Sequence, residues 1–284
     1  KWRRVQIQTA VNRMPDRHSD GQTDGSDREE RKTMLEICCG SYYDAVQAAS
    51  GGAKRIELNS GLHLGGLTPS LGTLELVKEH CNIRTVAMVR PRGGGFCYCK
   101  EDFEVMERDT GILVSHGADG IAFGCLNPDA TINREQNERL ISIIHEYGKE
   151  AVFHRAFDCT DNPYRSMELL IDMGVDRVLT SGLKAKAAQG TALLKELQAM
   201  YGDRIEILAG SGIHAGNARK LMDDTGITQV HSSCKDWVKD PTTIVNSVSY
   251  AFGDAPNENA YDVVSEELVR RLLISIGEAE GTGL

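Results

Sequence analysis

Eight short apolar runs recur along this chain, and segments with helical periodicity lie between them. The runs are rich in β-branched residues and start at Leu35, Arg55, Thr85, Gly120, Ala151, Arg177, Ile205 and Thr228. Intervening segments such as Leu71-Leu74-Val77 have the spacing of an amphipathic helix. This alternation predicts parallel strands joined by crossover helices, and runs that are apolar on both faces are typical of buried parallel strands.

The even-numbered runs share a glycine placed where the preceding helix should end. The four copies are GAKRIEL from Gly52, GADGIAF from Gly117, GVDRVLT from Gly174 and GITQVHS from Gly226. Glycine ends helices because it adopts the left-handed conformation at little cost. A βαβα unit used four times predicts a TIM (β/α)8 barrel, and an open eight-stranded sheet is the alternative.

The barrel is expected to occupy residues 34–284 as a single domain. Those 251 residues are close to the ~250 that are typical of this fold. Residues 1–33 are polar and mixed in charge, so they are expected to form a disordered tail. No run approaches the ~18 apolar residues of a membrane span, and the first residues lack the apolar core of a signal peptide, so we expect a cytoplasmic protein without membrane contact.

The overall charge argues against a nucleic-acid partner. There are 32 basic and 41 acidic residues, which gives a net charge of −9, the wrong sign for attraction to a phosphate backbone. The eight cysteines are irregularly spaced and do not form the dense framework of a small secreted domain. They are expected to be free thiols or metal ligands.

Polar side chains follow most of the predicted strands, at the end of the barrel where such folds place their active sites. They include Glu36, Cys38, Glu57, Asn59, Arg90, Arg92, His154, Arg155, Asp158, Thr180, Ser181, His231, Ser232 and Ser233. Glu57 lies in a run expected to be buried, so it needs a cation, for which Arg90 or Arg92 is the candidate. That pair is either part of a ligand site or a structural ion pair. The candidate acids and bases are Glu57, His154 and Asp158, although a strand-end histidine can also be a core residue.

Two glycine-rich segments suggest that an anion binds at the same end. ILAGSGI follows the seventh run and resembles the phosphate-binding loops of many barrels, whereas its glycines could equally serve a tight turn. RPRGGG, from Arg90, adds two guanidinium groups to flexible backbone. The predicted anion-binding residues are Arg90, Arg92, Arg155, Ser181, Gly210, Ser211, Gly212 and Ser232.

Seven of the eight cysteines fall at or just after predicted strand ends. Thiolates favour soft ions, above all Cu(I), and zinc also accepts sulfur ligands. The predicted metal ligands are Cys38, Cys97, Cys99 and Cys159. Each single cysteine could instead be a small buried apolar side chain, as is expected of Cys125.

Several long segments resemble the CutC-type copper homeostasis family. They are LEIC from Leu35, GGAKRIELNSGLHLGGLTPS from Gly51, MVRPRGGGF from Met88, FHRAFD from Phe153 and RVLTSG from Arg177. The resemblance covers residues 34 to about 235 and implies a cytoplasmic, homo-oligomeric TIM barrel that binds copper, without an established enzymatic reaction. It also implies copper ligands at Cys38 and at the position after RIEL, where this chain has Asn59 instead of cysteine.

The sequence therefore predicts two alternative functions. The first is copper homeostasis, with Cu(I) held by Cys38 and neighbouring thiols at the carboxyl end of the barrel. The alternative is an enzyme that acts on a small anionic or phosphorylated substrate, with Arg90 and Arg92 binding the anion and Glu57, His154 or Asp158 transferring protons.

Overall fold

The computed structural model describes residues 33–278, which form a closed barrel of eight parallel strands. The strands pair in chain order, and β8 closes the barrel on β1. Their bounds are β1 Met34–Cys39, β2 Arg55–Leu58, β3 Arg84–Met88, β4 Gly120–Phe123, β5 Glu150–Phe153, β6 Arg177–Thr180, β7 Glu206–Gly210 and β8 Gln229–Ser232. Each predicted run overlaps one of these strands, so the TIM-barrel prediction is confirmed and the open sheet is excluded. Apart from Thr33, the segment predicted to be a disordered tail lies outside the described residues.

Within residues 33–278, eight α-helices accompany the strands. They are α1 Tyr42–Ser50, α2 Leu71–His80, α3 Lys100–Ser115, α4 Arg134–Glu146, α5 Pro163–Asp172, α6 Thr191–Tyr201, α7 Ala218–Thr225 and α8 Glu266–Ile276. Short 3₁₀ helices cover Leu62–Leu64, Arg155–Cys159 and Ala187–Gln189. The glycines predicted to end helices, from Gly52 to Gly226, all have a left-handed φ between 77° and 98°, which confirms that prediction. No helix within residues 33–278 is long and apolar enough to cross a membrane.

The segment after the barrel contains strands that the sequence did not predict. β9 (Lys235–Lys239) pairs antiparallel with β12 (Ala260–Val264), and β10 (Ile244–Val245) pairs with β11 (Val248–Ser249). These strands are only two to five residues long. Nearly all residues of β9, β10 and β11 are exposed, and only Ala260 and Val264 of β12 are buried, so the sequence shows no sustained alternation. The chain then enters α8, whose N-cap Ser265 accepts a hydrogen bond from the Leu268 N–H, and Val269 of this helix packs against Gly51.

The inside of the barrel is charged at the amino ends of the strands. The Arg55 Nε lies 2.6 Å from Glu36 Oε2, and Arg177 lies 2.7 Å from Glu206 and 3.1 Å from Glu150. Glu36, Arg55 and Arg177 are each at most 2% exposed. Above this ionic layer a small apolar cluster fills the interior, formed by Val86, Met88, Ala122 and Val152. Polar side chains that could reach a ligand are thus left at the carboxyl end.

A candidate metal and anion site at the carboxyl end of the barrel

A cavity of about 590 Å³ opens at the carboxyl ends of the strands. Ten of the fifteen residues predicted as site residues line it: Cys38, Glu57, Arg90, His154, Arg155, Asp158, Cys159, Ser211, Gly212 and Ser232. The other five lie outside its lining: Arg92, Cys97, Cys99, Ser181 and Gly210. The cavity volume is in the range of pockets that hold small molecules.

Cys38, Glu57 and His231 form a compact group of potential metal ligands in the cavity wall. One ligand atom from each residue lies within 4.8 Å of the others, and this is the one such group among residues 33–278. The Cys38 thiol lies 3.8 Å from Glu57 Oε2, since these residues are register partners on β1 and β2. His231 is at the end of β8, which is the other neighbour of β1. Barrel closure therefore brings the three side chains together.

His231 is the residue of this group to which the sequence alone gave no role. TQVHSS is the last predicted strand and LEICC the first, so their proximity follows only once the barrel is known to close. In a closed barrel, residues of alternate parity face the interior, and His231 then lies beside Glu36 and Cys38. That closure is the signal that could have identified His231 from sequence.

Glu36 orients the imidazole of His231 by a hydrogen bond from the amino-terminal side of the group. His231 Nδ1 lies 2.9 Å from Glu36 Oε1, and the other carboxylate oxygen of Glu36 binds Arg55. Burial alone would lower the pKa of His231, but hydrogen bonds to Cys38 and Glu36 and the charge of Glu57 outweigh it and raise the pKa well above its usual value. With Nδ1 donating to Glu36, the Nε2 atom is directed to Cys38 and the cavity.

Burial raises the pKa of both remaining members of the group, the Cys38 thiol and the Glu57 carboxyl. Asn59 connects them, because its Nδ2 donates to Glu57 Oε2 at 2.9 Å and lies 3.6 Å from Cys38 Sγ. The position at which the resemblance implies a second copper ligand is thus in direct contact with the Cys38 sulfur. The positive charge of His231 opposes the effect of burial on Glu57.

The expectation that Arg90 or Arg92 pairs with Glu57 is wrong. The Arg90 guanidinium is buried and donates to the backbone carbonyls of Leu64, Gly66 and Gly94 at 2.6–2.9 Å. Arg92 lies 2.7 Å from Asp102. Backbone carbonyls compete successfully for a guanidinium when a loop wraps around it, and sequence spacing does not reveal such loops.

His154 and Asp158 lie on the same side of the cavity but differ in their environments. His154 Nδ1 accepts from the Ala156 N–H at 3.2 Å, and burial together with the charge of Arg90 lowers the pKa of His154 to about 3. The ring is therefore neutral, and its proton is on Nε2. The Asp158 carboxylate accepts from Thr180 at 2.6 Å and from Arg155 at 2.8 Å, so it fixes the loop after β6.

The remaining thiols do not join the group around Cys38. Cys97 and Cys99 are exposed in the loop before α3, and Cys159 is exposed at the rim of the cavity. Cys39, Cys81, Cys125 and Cys234 are buried. The ligands that the structure places next to Cys38 are an imidazole and a carboxylate, not further sulfurs.

These features define the class of protein: a TIM barrel with a cysteine, histidine and glutamate group at its carboxyl end. The chain belongs to the CutC family, whose sequence model matches residues 33–236. The match covers the whole barrel from β1 to β8 and includes all three residues of the group.

Curated relatives agree with this assignment. The chain is 41% identical over 247 residues to a CutC family protein of Treponema denticola, which covers 87% of this chain and 100% of that protein. It is 40% identical over 202 residues to the copper homeostasis protein cutC homolog of Homo sapiens, covering 71% of this chain and 73% of the human protein. A solved structure of a candidate copper homeostasis protein CutC from Streptococcus agalactiae superposes with a TM-score of 0.67 at 29% identity, covering 71% of this chain and 98% of that one.

Proposed function

We propose that this protein serves copper homeostasis by binding Cu(I) at Cys38 and His231, with Glu57 as a third ligand. The observation that supports this most directly is the grouping of the three ligand atoms within 4.8 Å of one another. Thiolate and imidazole are ligands that suit copper, and the names of the human and mouse relatives refer to copper homeostasis. All eight cysteines are free, which supports a reducing, cytoplasmic location. A homo-oligomer, as the resemblance implies, is part of the proposal.

The residues around the proposed copper ligands have specific roles in this proposal. Glu36 accepts the Nδ1–H of His231 and so keeps Nε2 available as the ligand atom. Binding requires loss of the Cys38 thiol proton and the Nε2 proton of His231, since only the deprotonated forms coordinate a metal. Cys97, Cys99 and Cys159 would take part only if their loops moved toward Cys38.

Cu(I) affinity is expected to increase with pH between pH 6 and 8. The pKa values of Cys38 and His231 are both raised, so both groups are protonated at neutral pH and compete with the metal. Mass action then gives about a tenfold gain in affinity per pH unit for each proton released. Anaerobic competition against a chromophoric Cu(I) chelator of moderate affinity measures this, after correction for the chelator's own protonation. A protein that fails to compete at pH 8, or whose affinity does not depend on pH, contradicts the proposed site.

A cysteine at position 59 is expected to strengthen the site. Asn59 already lies 3.6 Å from the Cys38 sulfur, so Asn59→Cys would place a second thiol beside the first. Two thiolates suit Cu(I) better than one, and we expect affinity to rise about tenfold in the same competition assay. Asn59→Ser is the matched control, because it removes the amide without adding a soft ligand. Equal affinities of the two variants would argue against a ligand position next to Cys38.

A second candidate function is that of an enzyme acting on a small anionic substrate. The observation that favours it is that the cavity combines a carboxyl group of raised pKa, Glu57, with a neutral imidazole, His154. Such a pair suits proton transfer, with Glu57 as acid or base and His154 as hydrogen-bond donor. Asp158 is less suited to this role because its oxygens are bound by the loop after β6.

A further inference from the structure

The cavity wall carries positive charge that is not matched by carboxylates. Arg155 lies 2.8 Å from Asp158, and Lys235 lies 3.0 Å from Asp262. Two further cations line the cavity, Arg90 and Lys186, and neither has a carboxylate partner within residues 33–278. Glu57 is the third carboxyl group in the lining, so four arginine and lysine side chains face three carboxyl groups. In a chain whose net charge is −9, this local excess of positive charge favours an anionic ligand.

The loop after β7 presents free backbone donors on the same wall. The N–H groups of Gly212 and Ile213 donate to no acceptor in the described part of the chain, although Ile213 is only 5% exposed. The loop is held in place, since Ser211 Oγ donates to the Ala185 carbonyl and Ser232 Oγ donates to the Ile213 carbonyl, both at 2.7 Å. The two amides are therefore fixed without a protein partner.

Lys186 lies against this loop. A Cβ atom on Gly212 would be 2.7 Å from Lys186 Cδ, so the aliphatic part of the lysine crosses directly over the glycine. The absence of a side chain at position 212 thus lets the Lys186 side chain lie next to the loop that carries the two backbone amides. An ammonium group and two N–H donors suit the several oxygens of a phosphate group.

A separate observation points to a second polar atom of the ligand. His154 is only 3% exposed, and its Nε2 atom has no hydrogen-bond partner within residues 33–278. Because Nδ1 accepts from the Ala156 N–H, Nε2 carries the proton and is a donor. The Nε atom of the buried Arg90, on the same wall, also lacks a partner. Buried donors are rarely left unpaired, so an acceptor from a ligand is expected beside them.

We propose that the cavity binds a small organic phosphate, with its phosphate group at Lys186 and the Gly212 and Ile213 amides and a carbonyl or hydroxyl oxygen accepting from His154 Nε2. The cavity volume of about 590 Å³ accommodates a molecule the size of a phosphorylated sugar. This inference rests on the second candidate function, for which it names the substrate class, and it does not depend on copper. Arg90 contributes its charge to the same wall without leaving its backbone partners.

Calorimetric titration of the copper-free full chain tests the proposal. The probes are dihydroxyacetone phosphate, ribose 5-phosphate and glucose 6-phosphate, each compared with its unphosphorylated form and with inorganic phosphate. We expect at least one sugar phosphate to bind about tenfold or more tightly than both its unphosphorylated form and inorganic phosphate. Equal binding of that sugar phosphate and inorganic phosphate, or no binding by any probe, would overturn the proposal. Tight binding of the unphosphorylated sugars alone would do the same.

Three variants locate the ligand. Lys186→Met is expected to weaken binding of the sugar phosphate at least tenfold, whereas Lys184→Met, from the same loop but outside the cavity lining, should change it less than twofold. His154→Leu should remove most of the preference for the sugar phosphate over inorganic phosphate. The far-UV circular dichroism spectrum and the thermal unfolding midpoint of Lys186→Met should match those of wild type, so that weaker binding reports the lost ammonium group. Unchanged affinity of Lys186→Met for the sugar phosphate would refute the assignment of the phosphate group to Lys186.

Discussion

Replacing Cys38 with serine is expected to weaken Cu(I) binding by about 100-fold or more. Cys38 is the one sulfur in the group with Glu57 and His231, and a hydroxyl is a poor ligand for a soft ion. A loss of 100-fold corresponds to about 2.7 kcal/mol of binding free energy. The substitution is nearly isosteric at a position in the cavity wall, so the barrel should keep its stability. Anaerobic competition with a Cu(I) chelator at pH 7.5 provides the measurement.

The other thiols at the same end of the barrel supply the controls for this prediction. A Cys97→Ser, Cys99→Ser double variant and a Cys159→Ser variant remove the three exposed thiols but leave Cys38 with its neighbours. If Cu(I) is bound as proposed, these variants should retain affinity within about threefold of wild type. If the double variant loses as much affinity as Cys38→Ser, the copper site lies in the loop before α3 and not at Cys38. Loss only in Cys159→Ser would instead place copper at the rim of the cavity.

The barrel could be predicted from sequence because its determinants are local. Each strand is a short apolar run, and the glycine before each even-numbered run, Gly52 for example, ends a helix with a left-handed φ that other residues rarely adopt. These signals do not depend on what is far away in the chain. The closing strands β9 to β12 gave no such signal because they are short and, apart from Ala260 and Val264 of β12, contain no buried residues.

The site was less predictable because its contacts are long-range. The sequence placed Cys38 and Glu57 at strand ends, but their grouping with His231 depends on a closure between residues almost 200 positions apart, as the Glu36 to His231 contact illustrates. The partner of Arg90 was mispredicted for a related reason, since the carbonyls that bind it belong to loops without a residue-type signature. Residue types at strand ends therefore indicated where the site lies, and the closed barrel was needed to show which of them meet.

The second large effect is expected below the site, where Glu36→Gln should lower the free energy of unfolding by about 3–5 kcal/mol. Glu36 is 1% exposed and compensates Arg55, which is 2% exposed, while also accepting from His231. Glutamine keeps the shape but removes the charge, which leaves buried cations without their counterion. Urea unfolding at pH 7 measures the difference. The control is Glu168→Gln, whose ion pair with Arg204 is half exposed and should contribute less than about 1 kcal/mol.

The effect of Glu36→Gln should also depend on pH in a defined direction. Burial would raise the pKa of Glu36, but Arg55, His231 and Arg177 together hold it well below the usual carboxyl value of 4.5. A carboxyl group whose pKa is lowered by folding stabilises the folded state fully above its unfolded pKa, and this contribution is lost as the pH falls toward the folded value. The difference between wild type and Glu36→Gln that comes from the carboxyl group should therefore shrink as the pH falls below about 4.5. A difference no larger than that of Glu168→Gln at pH 7, or one that grows as the pH falls below about 4.5, would show that Glu36 is not the counterion that stabilises the barrel interior.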